Sequence, residues 1–315
     1  MEAASTTTAR TTPGASALGV ARPRYGEKLI KALLFAAAMV SVLTTIGIVL
    51  SLVGETYSFF GEVSVVEFVT GTEWAPLFAD PKFGVLPLVG GTLLITGIAL
   101  VVAIPLGLGS AVYLSEYAKP RTRRILKPIL ELLAGVPTIV FGYFALTFFT
   151  PEILRGLFHV DVQIFNALSA GIVMGFMVLP TIASVSEDAM SAVPQSLREG
   201  AFGLGASKFQ TSMRVIFPAA LSGIVAAVIL GVSRAIGETM IVLVAAGQVP
   251  NLGVDPTEAY ATMTAFIAAT GKGDVPTGSI GYQTIFAVGT TLFLITLVMN
   301  AISIRFVRRY RQVYE

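Results

Sequence analysis

Two side chains of opposite charge interrupt an apolar run. Residues Ser233-Arg234-Ala235-Ile236-Gly237-Glu238-Thr239-Met240 lie between the apolar stretches 221–232 and 241–247. A charge at the centre of a membrane helix costs about 2.5–3.5 kcal/mol on insertion scales, so such residues normally face a protein interior or a wet cavity and serve it. Arg234 offers a planar, permanently charged fork of donors that fits two oxygens of a tetrahedral anion. On an unbroken helix the i, i+4 spacing puts Arg234 and Glu238 on one face, about 6 Å apart along the axis. Two chemistries fit that pattern. One is a buried ion pair holding helices together; the other is a charged lining for the path of an anionic solute, with Ser233 and Thr239 beside it.

The surrounding medium follows from composition. The 315 residues are 54% hydrophobic and only 13% charged, with a mean hydropathy of +0.80, far from a soluble globular domain. The absence of cysteine and the single histidine, His159, exclude disulfides, thiolate chemistry and Cys- or His-cluster metal sites. No cofactor and no nucleic-acid partner is expected. Residues 1–27, rich in Thr, Ala and Ser, predict a disordered cytoplasmic tail. Residues 28–53 predict a first membrane helix, and 54–84 an acidic extracytoplasmic loop that holds Glu73 and the only tryptophan, Trp74. Residues 85–315 predict a five-helix core with spans near 85–113, 129–149, 164–184, 219–247 and 285–304. In the third span Glu131 is expected to pair with Lys127 one turn away. In the fourth, Ala167, Gly171 and Gly175 recur every four residues, a seam for close helix packing.

Six spans put both ends of the chain on one side. Assigning the tails, the 116–128 turn and the 187–218 loop to the cytoplasm collects 17 of the 21 Lys and Arg, counting Lys28 and Lys31 at the mouth of the first span, and ten of the 19 acids fall in the outer loops. The basic residues set that orientation. The 187–218 loop is too polar to cross a membrane and too patterned for an irregular loop. It contains Gly200 and Gly205 at P-loop spacing, but Ala206 stands where the phosphate-binding lysine belongs, so the chain is not expected to bind ATP or to be an enzyme.

The same loop carries a resemblance. Glu199-Gly200-Ala201-Phe202-Gly203-Leu204-Gly205-Ala206, followed at the right distance by Val215-Ile216-Phe217-Pro218, resembles the coupling motif of ABC importer permeases, with Gly200, Val215 and Phe217 as mild departures. A narrower resemblance runs from about Thr72 onward. Thr72-Glu73-Trp74 with Pro76, Phe83-Gly84-Val85-Leu86-Pro87, Gly91-Thr92, Leu114-Ser115-Glu116, Glu131-Leu132-Leu133-Ala134-Gly135-Val136-Pro137 and the Arg234–Met240 segment are similar to the phosphate-specific ABC importer permeases, C-type subunit.

That resemblance implies an all-α integral membrane protein of six transmembrane helices with type I ABC importer permease architecture, sited in the cell membrane. It implies a second, A-type permease, two copies of an ATP-binding subunit and an extracytoplasmic phosphate-binding protein as partners. Glu199, Gly200, Ala201, Gly205 and Ala206 would then seat the ATPase, Glu73 and Trp74 would dock the binding protein, and Arg234, Glu238, Thr239 and Ser233 would line the phosphate path. Glu238 can accept the proton that phosphate still carries at neutral pH and repel a bare dianion such as sulfate. A permease for another oxyanion, a proton-coupled secondary transporter and a non-transporting scaffold are the competing readings. The six spans show no internal repeat of the kind common in secondary transporters. Pro218 ends the coupling loop and Ala219 opens the charged span, so the fifth span is expected to act as a lever.

Overall fold

The computed structural model describes residues 25–310, and most of the tail expected at 1–27 lies outside them. The described residues divide into two compact units, the first ending at Ser51 and the second beginning at Leu52. Helix α1 (Tyr25–Glu62) crosses that boundary. Its 38 residues rise about 57 Å, well beyond a hydrocarbon core of about 30 Å. The helix therefore continues past Val53, where the apolar run was expected to end. In the second unit its last turns bury Phe59 against Phe68 and Phe83. The short helix α2 (Val65–Thr70) and the two-residue strands β1 (Trp74–Ala75) and β2 (Lys82–Phe83) complete this outer layer. The strands pair antiparallel, with Trp74 opposite Phe83.

Helix α3 (Leu86–Val112) continues in π-helical form through Tyr113–Tyr117. Helix α4 (Pro120–Ala134) is followed by α5 (Thr138–Phe144), which becomes π-helical over Ala145–Leu157. Then come α6 (Ala167–Ser191), α7 (Gln195–Gly203) and α8 (Lys208–Thr211), a π-helical turn Ser212–Ile216, and α9 (Phe217–Ala219). Helix α10 (Leu221–Ile236), a π-helical segment Val242–Ala246, α11 (Met263–Lys272) and α12 (Ile280–Tyr310) finish the chain. Four helices are long and apolar enough to cross a membrane, and two bent helix pairs bring the count to six.

Helix α6 is the axis of the second unit. A Cβ on Gly171 would lie 2.7 Å from Ile98 Cβ, and one on Gly175 would lie 2.8 Å from the Ala99 carbonyl oxygen. The small-residue seam thus brings α6 against α3 at backbone distance, the contact that small residues permit where lipid supplies no hydrophobic drive. From the other sides, Gly107 of α3 and Gly231 of α10 both abut Ile182 of α6. Three helices meet at that one fully buried side chain.

The first bent pair breaks at a residue that has no N–H to give. Between α4 and α5 the chain passes Gly135-Val136-Pro137 and turns by 86°; Pro137 has no N–H to continue the ladder. The fifth span bends by 72° at Ala220. It stops again at Ile236, with Gly237 as its cap, and helical structure resumes at Met240. The unbroken helix expected through Arg234 and Glu238 is therefore wrong.

Placing a side chain in the seam should be costly. Gly175→Val is expected to lower stability by about 1–3 kcal/mol through overpacking. The thermal midpoint of the purified protein in detergent would show it, and an unchanged midpoint would argue that α3 and α6 are not this close.

Candidate anion site at the helix breaks

Arg234 is the third-last residue of α10, and its guanidinium reaches two other elements. Nη1 donates to Thr181 Oγ1 of α6 at 2.9 Å, and Nη2 makes a long bond, 3.4 Å, to the carbonyl of Ala134. Ala134 is the final residue of α4, so the cation sits at the negative end of a helix, on the carbonyl beyond those of Leu132 and Leu133, which Gly135 and Val136 N–H close. Thr181 lies near the middle of α6, which puts the guanidinium near mid-membrane.

Glu238 performs the opposite service. Its Oε1 accepts from the backbone N–H of Met240 at 2.9 Å and of Ile241 at 3.2 Å, the first donors of the resumed helix. The carboxylate is only 8% exposed. Its own carbonyl accepts from Thr264 Oγ1 of α11 at 2.6 Å. An anion at a helix N-terminus and a cation at a C-terminus each complement the helix dipole, by typically about 0.3–1 kcal/mol and up to about 2 kcal/mol when partly buried.

No ion pair joins Arg234 to Glu238 among the described residues, and no carboxylate lies within ion-pair distance of Arg234. Each charge instead serves one of two adjacent helix ends. The second half of the broken third span closes against the resumed helix, since a Cβ on Gly142 would lie 3.1 Å from both Ile241 Cα and the Met240 carbonyl oxygen. Ser233 and Thr239 are placed differently. Ser233 Oγ donates to Asn300 Oδ1 of α12 at 3.3 Å, and Thr239 Oγ1 turns back to the Gly237 carbonyl.

The segment expected to meet an ATPase folds as a helix–turn–helix. Helix α7 ends with Gly205 N–H bonded to the Phe202 carbonyl at 2.9 Å and Ala206 N–H to the Ala201 carbonyl at 3.1 Å. This closure requires a left-handed residue, and Gly205 supplies it at φ +81°. Ser207 and Gln210 then form a reciprocal capping box that starts α8. Glu199 and Gly200 are exposed, and so are Leu204, Phe202 and Phe209 around the turn.

Trp74, by contrast, is buried, edge-on to Phe68 and Phe266. The indole is part of the loop's core, so the surface it was expected to present belongs to exposed Glu73, Leu77 and Phe78. Two charges on this outer face have shifted affinities for protons. A hydrogen bond from Lys82 to Asp80 raises the Lys82 ammonium above its ordinary value, and two hydrogen bonds from Thr257 lower the Asp255 carboxyl.

A polar cluster in the stretch expected to be a loop lies at the C-terminal end of α6. Glu187 is wholly buried, and its oxygens accept from Arg123, Lys127 and Ser191. Lys127 therefore turns to Glu187 and Asp188, and the expected pairing of Glu131 with Lys127 does not form. No spacing rule pointed to it, because its partners on α4 lie 60 and 64 residues away in the chain.

Removing the Glu238 cap should separate its hydrogen-bonding role from its charge. Glu238→Ala leaves two buried N–H groups without their acceptor and is expected to cost about 1–3 kcal/mol for each, whereas Glu238→Gln retains an acceptor and should cost less. Denaturation of both variants in detergent checks the order; equal losses would mean that the carboxylate does not act as the cap.

Comparison with known proteins agrees with this architecture. Residues 103–312 match the family model described as binding-protein-dependent transport system inner membrane component. The probable ABC transporter permease protein YqgH of Bacillus subtilis is 36% identical over 273 residues, covering 87% of this chain and 86% of that protein. The phosphate transport system permease protein PstC 1 of Mycobacterium tuberculosis is 36% identical over 280 residues, covering 78% and 82%. PstC of Mesorhizobium japonicum is 31% identical over 291 residues, covering 85% and 86%. In three dimensions the chain is similar to the MetNI methionine ABC transporter in an inward-facing conformation, with a TM-score of 0.55 over 73% of this chain and 95% of that one at 19% identity, a likeness of fold alone. On this family match over residues 103–312 and these relatives, the chain belongs to the family of binding-protein-dependent transport system inner membrane components.

Proposed function

We propose that this chain is one of two permease subunits of an ATP-driven importer of inorganic phosphate. The observation that carries the reading is Arg234, a guanidinium held near the middle of α6 with no carboxylate within ion-pair distance among the described residues. Such a charge is expensive in a bilayer unless something completes it. Thr181 and Ala134 use one donor each, and the remaining donors of the fork suit a tetrahedral oxyanion. Phosphate is the oxyanion favoured by the names of the PstC relatives. Glu238 Oε2, with no protein partner among the described residues, can accept the proton that phosphate retains at neutral pH. Ser233 and Thr239 border the same stretch, although their hydroxyls are engaged elsewhere in this conformation.

The other half of the path comes from a second, A-type permease. Energy comes from two copies of an ATP-binding subunit that receive Glu199, Gly200, Ala201, Gly205 and Ala206, with Leu204, Phe202 and Phe209 supplying apolar contact. A phosphate-loaded extracytoplasmic protein docks on the outer layer, where Glu73 is exposed and Trp74 stiffens the surface from beneath. Both ends of the chain lie in the cytoplasm, as the excess of Lys and Arg in the inner loops requires.

Two substitutions test this reading. In proteoliposomes holding the full assembly, Arg234→Gln is expected to cut ATP-dependent phosphate uptake by about tenfold or more, since a charge-assisted hydrogen bond is worth about 1.5–3 kcal/mol. Arg234→Lys should recover only part of it, because an ammonium lacks the fork; full uptake by either variant would remove Arg234 from the path. Preferential uptake of sulfate by the wild-type assembly would reassign the oxyanion. At the coupling turn, Gly205→Leu forces a side chain into the left-handed region, at a cost of about 1–2 kcal/mol. It should let ATP hydrolysis continue while uptake falls, and failure of the chain to insert would point to folding instead.

A further inference from the structure

We infer that Arg198 is the joint through which α7 moves the membrane helices, a positioning residue that turns displacement of the coupling segment into displacement of α3 and α6. The inference rests on the reading of α7 as the ATPase contact.

Helix α7 has no buried residue, and only Leu197 packs partly into the core beneath it. Side-chain packing alone therefore gives α7 a weak hold on the spans. Arg198 supplies a stronger one. Its Nη2 donates to Glu116 Oε1 at 3.0 Å and to the Met190 carbonyl at 2.8 Å, while Nη1 donates to the Val193 carbonyl at 2.6 Å. Glu116 belongs to the π-helical end of α3, and Met190 and Val193 flank the end of α6. One planar group thus ties three elements. Both ends of its ion pair are enclosed, Arg198 at 13% and Glu116 at 8% side-chain exposure. An enclosed pair is screened less than one at the surface and holds its geometry by several directional bonds.

The tie continues inward. One turn back from Met190, Glu187 grips Arg123 and Lys127 of α4, and the far end of α4 is Ala134, the carbonyl that Arg234 touches. Rigid helices joined by discrete polar contacts are a physical route for coupling. Loss of the first contact should disconnect that route without touching either end of it.

The experiment uses the reconstituted assembly with its ATPase and binding protein, and reads labelled inorganic phosphate taken up per ATP hydrolysed. In Arg198→Gln the ATPase is expected to co-purify at the wild-type ratio while phosphate moved per ATP falls roughly fivefold or more, the lower range of measured couplings. Arg198→Lys should recover part, since it can still pair with Glu116 but cannot hold both carbonyls. An unchanged ratio in Arg198→Gln overturns the inference. If that variant fails to assemble, Glu116→Gln decides, because it weakens only the link to α3; a normal ratio there, or loss of assembly in both, assigns Arg198 to folding alone. A wild-type chain that recruits no ATPase overturns the reading of α7 itself, whereas an unchanged ratio on a working wild type overturns this inference only.

Discussion

The bonds of Arg234 to Thr181 and Ala134 are the constraint from which the rest of the molecule follows. A span cannot break inside a bilayer unless its freed backbone groups find partners. Here two spans break at about the same depth, and the two charged residues answer different ends of the problem. The guanidinium meets the C-terminal carbonyls of α4, and the carboxylate of Glu238 takes up the first N–H groups of the resumed helix. Helix ends solvate charges that lipid cannot, and the charges in turn stabilise ends that lipid would penalise. The site is built from this exchange rather than from an ion pair. That leaves donors of the Arg234 guanidinium uncommitted to any carboxylate among the described residues.

Helix α6 is the element against which α3 and α10 pack at close range. Glycines at 107, 171, 175 and 231 remove every side chain that would keep α3 and α10 at ordinary distance, and Ile182 fills the point where the three meet. Above and below, polar contacts replace packing. Asn166 caps the start of α6, where its side chain accepts from Ser169 N–H at 2.7 Å. At the other end Glu187, buried but surrounded by donors, binds α4. A buried carboxylate without such partners would be strongly destabilising. With them it fixes the lower half of a helix that has no buried residue of its own.

Much of the site was legible in residue types and spacing. Charges in an apolar run marked the stretch, and Gly205, part of the motif that resembles importer permeases, is the residue that takes φ +81° at the turn. The geometry relating the charges was not legible, because i, i+4 spacing implies a shared face only if the helix continues. Gly237 gave a local hint of the break, but glycine is common within membrane helices. Trp74 misled for a related reason. A lone tryptophan in an acidic loop suggests exposure, yet the aromatic residues that cover it, Phe68 and Phe266, come from segments nearly 200 residues apart. Lys127 chose Glu187 over Glu131 on similar grounds, since α4 lies against α6 there and the preference for a neighbour one turn away is worth only a few tenths of a kcal/mol.

The sequence alone determined the medium and the class of fold, and it singled out the residues able to meet an anion or a partner subunit. Those properties depend on composition and on short-range pattern, which folding does not alter. Tertiary structure alone decided that Arg234 and Glu238 serve separate helix ends, that Thr181 and Ala134 share the guanidinium, and that Arg198 ties α7 to α3 and α6. Each of these is a contact between residues distant in the chain. Whether such a contact forms is settled by where helices stop and which backbones approach, and no spacing rule records that.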